Sequence, residues 1–417
     1  AAFIESDEHT IISTSPELFF KLSDESLICK PMKGTSKRGR TLNEDIALMT
    51  ELKNSEKDKA ENIMITDMLR NDMGKISDTG SVKVLSEFDI EKYPTVWQMT
   101  SSVKSQTRAS ITAIFEALFP CASVTGAPKV SSMKIISEIE DQPREIYTGA
   151  IGYIAPNNEA QFSVPIRTIL SNKKIDRSVY GTGSGIVWDS EWEKEWDECQ
   201  NKSAILSVSH QNFELFETMR WDSNRGIFLE ELHLNRLKDS AEFYNFKFSR
   251  KKINDKLHDY LKNLEPESEK IIRLFLAKDG ETRLTASAYK EHNKSKPHLI
   301  SLAIQPVDSD DLSLYHKTTI RGIYEDATGE NPDCDDILLW NEDGHITEST
   351  ISNIIFKKDS EYFTPPISCG LLGGTYRTHL INQGHLVERI IPKTEINLYS
   401  EIYLINSVRG KYPVKLI

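Results

Sequence analysis

The chain has 417 residues, 38% hydrophobic and 27% charged, a balance that supports packed cores and excludes disorder as the default reading. Its formal net charge of -12 and pI of about 5.5 argue against nucleic acid or an anionic membrane as partner. No apolar stretch reaches the roughly 18 residues of a membrane span, and the five cysteines lack a C-x-x-C pair, which speaks for reduced cytoplasmic thiols over a zinc ribbon or a disulfide framework.

The length suits about two to four domains. The chain begins Ala-Ala-Phe, without Met, and residues 10–20 already read as a strand running into a turn, so the first domain is expected to be N-terminally truncated. Strand-like runs fall at residues 10–13, 146–154, 161–170 and 179–188. Helical runs fall at 42–53, 58–71, 110–118, 129–140 and 191–206, the last with Trp192, Trp196, Cys199 and Ser203 on one stripe. A polar stretch, 207–212, marks the junction and gives domains of 1–207 and 208–417. In the second, Phe213 opens a strand-like run, further strands are expected at 271–277, 299–305, 337–340 and 350–357, and helices at 232–244, 250–264 and 375–383. Strands and helices grouped in runs predict an α+β protein with antiparallel sheets.

Three segments of the first half carry chemistry. Ser15-Pro16-Glu17-Leu18-Phe19 precedes Pro31-Met32-Lys33-Gly34-Thr35, where a proline that cannot extend a ladder and a glycine without a side chain leave Lys33 beside open backbone. Asp58 to Asp72 contains Glu61. On the run after Glu191, Glu191, Glu195, Glu198 and Lys202 share one helical face. By spacing alone a solvated acidic face is the better reading, and a hard divalent cation between Glu198 and Glu61 is the alternative.

Eight motifs stand in one order over residues 13–202: S-P-E-x-F, P-x-K-G-T, A-E-N-x-M-I-x-D-x-x-R-N-D, S-V-T-G-A-P-K, Y-T-G-A-I-G-Y, I-R-T, G-x-G-S-G-I-V-x-D-S and E-x-x-E-x-x-x-K. In this the half resembles the chorismate-utilising enzymes, the anthranilate, aminodeoxychorismate, isochorismate and salicylate synthases. The resemblance implies a partial chorismate-binding α/β sandwich with antiparallel sheets. It implies Mg²⁺ on Glu61, Glu195 and Glu198, substrate carboxylates on Tyr147 and Arg167, and a pocket lined by Thr125, Gly126, Gly181, Gly183 and Gly185. Aminodeoxychorismate synthases carry Lys in the P-x-K-G-T slot where anthranilate synthases carry Ala. By that resemblance Lys33 is the nucleophile at C2 of chorismate and Glu17 the acid for the C4 hydroxyl. Many relatives have His in a V-x-H-L-x-S segment; here Gln98 stands there and cannot act as a base, which suits a synthase that keeps the enolpyruvyl group.

In the second half, Gly370-Leu371-Leu372-Gly373-Gly374-Thr375 opening a helix reads as an anion site or as an ordinary strand-to-helix turn. With His233-Leu234-Asn235-Arg236-Leu237, Tyr315-His316-Lys317-Thr318-Thr319 and Gly344-His345-Ile346-Thr347-Glu348, it resembles the class IV pyridoxal-phosphate enzymes. That implies a two-lobed fold in which Lys317 carries the cofactor, Glu348 meets its pyridine nitrogen, and Arg236, the Leu372–Gly373 backbone and Thr375 hold its phosphate. Y-H-K-T-T-x-R and Asn406-Ser407-Val408-Arg409-Gly410 look more like lyase members than transaminases.

The two resemblances imply consecutive steps of 4-aminobenzoate formation from chorismate in the cytoplasm. No G-x-C-x-G segment of a glutamine amidotransferase is found, so ammonia is expected from a separate amidotransferase subunit; a homodimer through the lyase domain is also expected. The alternatives are an anthranilate synthase-like domain joined to a class IV aminotransferase, or a truncated chorismate-binding protein without catalysis.

Overall fold

The structure is a computed structural model that describes residues 1–188, 190–206, 212–265, 268–291 and 297–417. Most of the polar junction 207–212, and Asp189 of the glycine-rich motif, lie outside the described residues. The chain divides into two compact units, Ala1–Arg38 with Ile46–His210, and Gly39–Asp45 with Gln211–Ile417.

The first unit holds strands β1 (Ala2–Glu5), β2 (His9–Ser13), β3 (Leu18–Ser23), β4 (Ser26–Lys30), β5 (Met32–Lys37), β6 (Lys83–Lys92), β7 (Val96–Gln106), β8 (Ile151–Ile154), β9 (Ala160–Ser163), β10 (Thr168–Asn172) and β11 (Arg177–Tyr180). They make two antiparallel sheets, one in the order β1-β2-β10-β11 and one in the order β5-β7-β4-β3-β9-β8 with β6 also paired to β7. The helices are α1 (Leu42–Asn54), which belongs to this unit from Ile46 onward, α2 (Glu56–Gly74), α3 (Ile111–Leu118), α4 (Lys129–Ile139) and α5 (Trp192–Ser203). Ser55 caps α2 by accepting the Asp58 N–H at 3.2 Å, and Ser110 caps α3 in the same way. Phe20, Leu27, Met73, Val103 and Ile114 form a fully buried core between the larger sheet and α2 and α3.

The second unit holds β12 (Leu215–Asp222), β13 (Gly226–Ile227), β14 (Lys270–Leu276), β15 (Thr282–Ala288), β16 (His298–Leu302), β17 (Asp336–Trp340), β18 (Ile346–Ser349), β19 (Asn353–Lys358), β20 (Glu361–Thr364), β21 (Val387–Glu388), β22 (Glu401–Asn406) and β23 (Gly410–Leu416). One sheet is antiparallel, β13-β12-β14-β15, and packs its core against α6 (Glu230–Tyr244) and α7 (Arg250–Lys262). The other, β18-β17-β16-β23-β22-β19-β20-β21, mixes antiparallel ladders with parallel pairs β16–β17, β16–β23 and β20–β21. Helices α8 (Gly322–Glu330) and α9 (Thr375–Asn382) complete the unit. The α+β expectation holds, and no single helix among the described residues is long and apolar enough to cross a membrane.

Three expected strands are cut short. The run 161–170 is two strands, β9 and β10, in different sheets: Pro165 offers no N–H and Arg167 sits at φ 52°. The run 146–154 begins at Ile151, because Thr148 sits at φ 62° in a turn. The run 179–188 ends at Tyr180, where the glycines 181, 183 and 185 start. The tryptophan stripe of α5 is not a buried face; Trp192 and Trp196 are exposed.

Candidate active sites

In the first unit, Lys33 is the second residue of β5 and Glu61 lies on the second turn of α2. They meet as an ion pair of 3.0 Å, both partly buried. Gly34 holds φ 96°, and a Cβ there would come within 3.0 Å of Asp58 Cβ on α2, so the missing side chain lets β5 lie this close to the helix. Gln98 on β7 donates to the Gly34 carbonyl at 2.9 Å and accepts from Thr35 Oγ1 at 3.0 Å. Asn62 donates to the Lys33 carbonyl at 3.3 Å. The P-x-K-G-T strand is thus clamped from both sides. A Cβ on Gly185 would collide with Lys33 Nζ, so that glycine is the wall against which the amine rests.

Glu17 is buried just before β3. Burial raises its carboxyl to about 7, against hydrogen bonds from Ser123, the Met32 amide and Cys121 and the charge of Lys33, all of which lower it. Ser123 Oγ donates to Glu17 Oε1 at 2.6 Å. Glu17 therefore keeps its proton near neutrality and faces the same amine that Glu61 pairs.

The three acidic residues expected to hold a metal are each engaged. Glu61 pairs with Lys33; Glu198 pairs with Lys202 at 2.5 Å; Glu195 Oε1 accepts from Ser190 at 2.7 Å. Burial opposes ionisation of Glu195, but hydrogen bonds from Ser190 and Ser184 and the charges of Lys57 and Lys33 hold its carboxyl below the usual range. Among the described residues, no three His, Cys, Asp or Glu side chains converge on one cation position.

Of the expected substrate contacts, the Tyr147 ring lies where a Cβ of Gly181 would be, and its hydroxyl sits 3.2 Å from the Cβ position of Gly183. Burial raises the Tyr147 phenol. Arg167 spends one arm on the Lys202 carbonyl, at 2.7 Å, at the end of α5. Lys202 in turn donates to the Gly183 carbonyl at 2.9 Å, tying α5 to the glycine loop. Thr125 turns its hydroxyl back to the carbonyls of Cys121 and Ala122, and Gly126 holds φ 124°.

In the second unit, Lys317 follows the loop after β16, and its carbonyl accepts from Phe216 N–H at 3.0 Å. Its Nζ lies 4.6 Å from the Phe216 ring centre. Burial first, then the charges of Arg236 and Arg321, bring its amine down to about 8, against Glu217 and Glu348. Glu348 on β18 is buried, and burial raises it to about 7. It accepts from Tyr324 Oη at 2.9 Å, Asn353 Nδ2 at 3.0 Å and the Leu372 amide at 3.1 Å.

Arg236 on α6 grips buried Glu217 through Nε at 2.9 Å and Nη2 at 2.6 Å, and Nη1 donates to the Gly373 carbonyl at 3.1 Å. Burial opposes ionisation of Glu217, but Arg236 and His233 outweigh it and hold the carboxyl down at about 2. Thr375 is the first residue of α9, whose cap residue Gly374 offers no side chain, so the terminal N–H groups stay open to an anion. The Leu372 amide, expected to face the phosphate, goes instead to Glu348.

The family model described as chorismate binding enzyme matches residues 1–207, and that described as amino-transferase class IV matches 214–417. The chain joins a chorismate-binding enzyme domain to a class IV aminotransferase domain. Curated relatives of the chorismate-binding domain include anthranilate synthase component 1 of Aquifex aeolicus, 39% identical over 207 residues, which are 49% of this chain and 41% of that protein. Aminodeoxychorismate synthase component 1 of Bacillus subtilis is also 39% identical over 207 residues, 49% of this chain and 44% of the relative. The chain thus spans less than half the length of these relatives. A solved branched-chain amino acid aminotransferase from Escherichia coli is 18% identical with TM-score 0.43, covering 50% of this chain and 77% of that one.

Chorismate-binding enzymes use Mg²⁺ and class IV enzymes pyridoxal phosphate. Of the three expected metal ligands only Glu195 Oε2, buried and without a hydrogen-bond partner among the described residues, is open to a hard cation; Glu61 and Glu198 are paired with lysines. The class IV donors fit their cofactor. In the class IV domain the lowered amine of Lys317, the buried carboxylate of Glu348 and the uncapped start of α9 match an aldehyde, a pyridine nitrogen and a phosphate.

Sequence reasoning gave no role to Ser123, Asn62, Glu217, His233, Tyr324 or Asn353. One signal was present. Along Leu-Phe-Glu-Thr-Met-Arg-Trp-Asp of β12 the buried positions alternate as Leu215, Glu217, Met219 and Trp221. A carboxylate on the apolar face of an alternating strand needs a buried partner.

Proposed function

We propose that this chain makes 4-aminobenzoate in two steps. Residues 1–207 would exchange the C4 hydroxyl of chorismate for an amino group, and residues 208–417 would release pyruvate from the resulting 4-amino-4-deoxychorismate. The observation that carries the reading is Lys33. Its Nζ rests against Gly185, 3.0 Å from Glu61, with the protonated carboxyl of Glu17 near enough to feel its charge.

In the first step the Lys33 ammonium loses its proton to solvent, its free amine bonds to C2 of chorismate, both ring double bonds shift, and the C4–oxygen bond breaks. Glu17 gives its proton to the departing oxygen, which leaves as water. Ammonia then adds at C4, the double bonds return, Lys33 departs from C2, and the proton shed by the added nitrogen restores Glu17. Glu61, Glu195 and Glu198 would hold Mg²⁺, Tyr147 and Arg167 would hold the substrate carboxylates, and Thr125, Gly126, Gly181 and Gly183 would line the pocket. The ammonia would come from a separate glutamine amidotransferase.

In the second step pyridoxal phosphate, when bound, supplies the electron sink. Lys317 would carry it; as a free amine, Lys317 Nζ would take the C4 proton as the C3–oxygen bond breaks, and the enolpyruvate released takes up a solvent proton to become pyruvate. Glu348 would meet the pyridine nitrogen. Arg236, the Gly373 backbone and Thr375 would hold the phosphate, with Leu372 fixing Glu348 beside them. The setting is the cytoplasm, and the working unit a homodimer through the second domain.

The test is incubation with chorismate, ammonium, Mg²⁺ and pyridoxal phosphate. The expected products are 4-aminobenzoate and pyruvate in equal amounts. Anthranilate as the aromatic product would overturn the first step. Amino transfer from D-alanine or a branched-chain amino acid, without aminobenzoate, would overturn the second.

A further inference from the structure

The class IV domain contains a buried hydrogen-bond chain in which the proposed chemistry gives His233 and Glu217 no part. Thr375 Oγ1 lies 3.3 Å from His233 Nε2, His233 Nδ1 lies 2.6 Å from Glu217 Oε2, Glu217 is gripped by Arg236, and Arg236 returns to the Gly373 carbonyl. His233 and Glu217 are each 1% exposed and Thr375 is 4% exposed. The chain therefore starts and ends on the backbone that opens α9.

Donor counting fixes the protons. Glu217 is ionised and can only accept, so His233 Nδ1 carries a hydrogen. In a neutral imidazole Nε2 is then a lone pair, and its partner is the Thr375 hydroxyl. That hydroxyl has one proton and spends it inward, leaving only lone pairs toward the uncapped N–H groups of α9. A phosphate offers acceptors alone, so in this arrangement the side chain of Thr375 repels the ligand it is expected to hold. An imidazolium reverses the bond: Nε2–H donates to Oγ1, and the Thr375 proton is free to point outward.

We propose that His233 is a positioning residue that couples anion binding to proton uptake: a phosphate entering the start of α9 draws a solvent proton onto His233 Nε2, which turns the Thr375 hydroxyl toward the anion. The idea rests on the reading that this cup takes the cofactor's phosphate. The groups facing His233 fit the switch. They are Glu217 on β12, Arg236 on its own helix, Lys317 from the loop after β16 and Thr375 on α9. Burial first, with Arg236 and Lys317, keeps the imidazole below its ordinary value against the pull of Glu217, so it is neutral while the cup is empty. A dianion beside Thr375 adds the negative charge that favours the imidazolium. Binding and protonation then assist each other equally, as linkage demands.

The test uses the full chain and pyridoxamine phosphate, which has no aldehyde to react with Lys317, with pyridoxamine as the phosphate-free control. Calorimetry at pH 7 in two buffers of different ionisation enthalpy counts the protons taken up. His233→Gln, whose amide can donate to Thr375 but does not titrate, should bind with an uptake lower than the parent by roughly half to one proton. Thr375→Val should bind about tenfold or more weakly and lose the same uptake, and Thr375→Ser should restore both. Equal proton counts in the parent and in either His233→Gln or Thr375→Val would overturn the relay. Equal binding of pyridoxamine and pyridoxamine phosphate would instead overturn the phosphate assignment beneath it. If His233→Gln does not fold, the Thr375 pair decides alone.

Discussion

Glu17 and Lys317 sit in their environments for opposite ends. Burial keeps a proton on one near pH 7 and takes a proton from the other near pH 8. Because Ser123 donates to Glu17 and so stabilises its carboxylate, Ser123→Ala should raise the Glu17 pKa. The alkaline limb of chorismate consumption should then move to higher pH, and a limb that stays or moves down would count against Glu17 as the acid. Arg236 lowers the Lys317 amine, so Arg236→Gln should shift the pH at which the cofactor attaches upward from about 8, read from its visible absorbance. Gly185→Ala places a methyl on the resting position of Lys33 Nζ, the free end of a flexible chain. The expected result is an unchanged melting temperature with chorismate amination lost, as it is lost in Lys33→Ala; amination at the parent rate in either variant would remove Lys33 from the reaction. At this scale the sequence named Lys33, Glu17, Lys317 and Glu348 through their motifs. It could not name Ser123 or His233, because each acts through a partner 106 or 16 positions away that only folding brings near.

Elements were legible where their signal was local. The helices 58–71, 110–118 and 375–383 lie within two or three residues of α2, α3 and α9, since the serine caps of the first two and the glycine turn before the third are local to one segment. The strands β3 to β7 escaped notice, although they form most of the larger sheet of the first unit. The residues of β5, Met-Lys-Gly-Thr-Ser-Lys, have little apolar alternation, and the strand is held by ladder bonds to β7 and by Gln98 and Asn62 rather than by its own pattern. The close approach of β5 to α2 depends on Gly34. Gly34→Ala should cost about 1–2 kcal/mol from its left-handed φ alone, and more if Asp58 cannot withdraw. Urea titration of the chorismate-binding domain should show the midpoint fall; an unchanged midpoint would mean that the strand is free to shift.

The two chemistries proposed for the two halves differ in their requirement for metal. Chelation should stop chorismate consumption and leave pyruvate release from supplied 4-amino-4-deoxychorismate intact; equal loss of both would refute a metal confined to Glu61, Glu195 and Glu198. Ordered motifs by themselves determined the class of each half, because eight short segments in one order in the first half, and four in the second, constrain a fold more than any single residue does. Tertiary structure decided what each side chain is free to do. It engaged Glu198 with Lys202, one arm of Arg167 with a helix end and the Leu372 amide with Glu348, and it left Glu195 Oε2 buried and open. The reason is physical: a motif fixes which groups a segment carries, whereas hydrogen-bond partners and burial are set by segments far apart in sequence, and these determine protonation and availability.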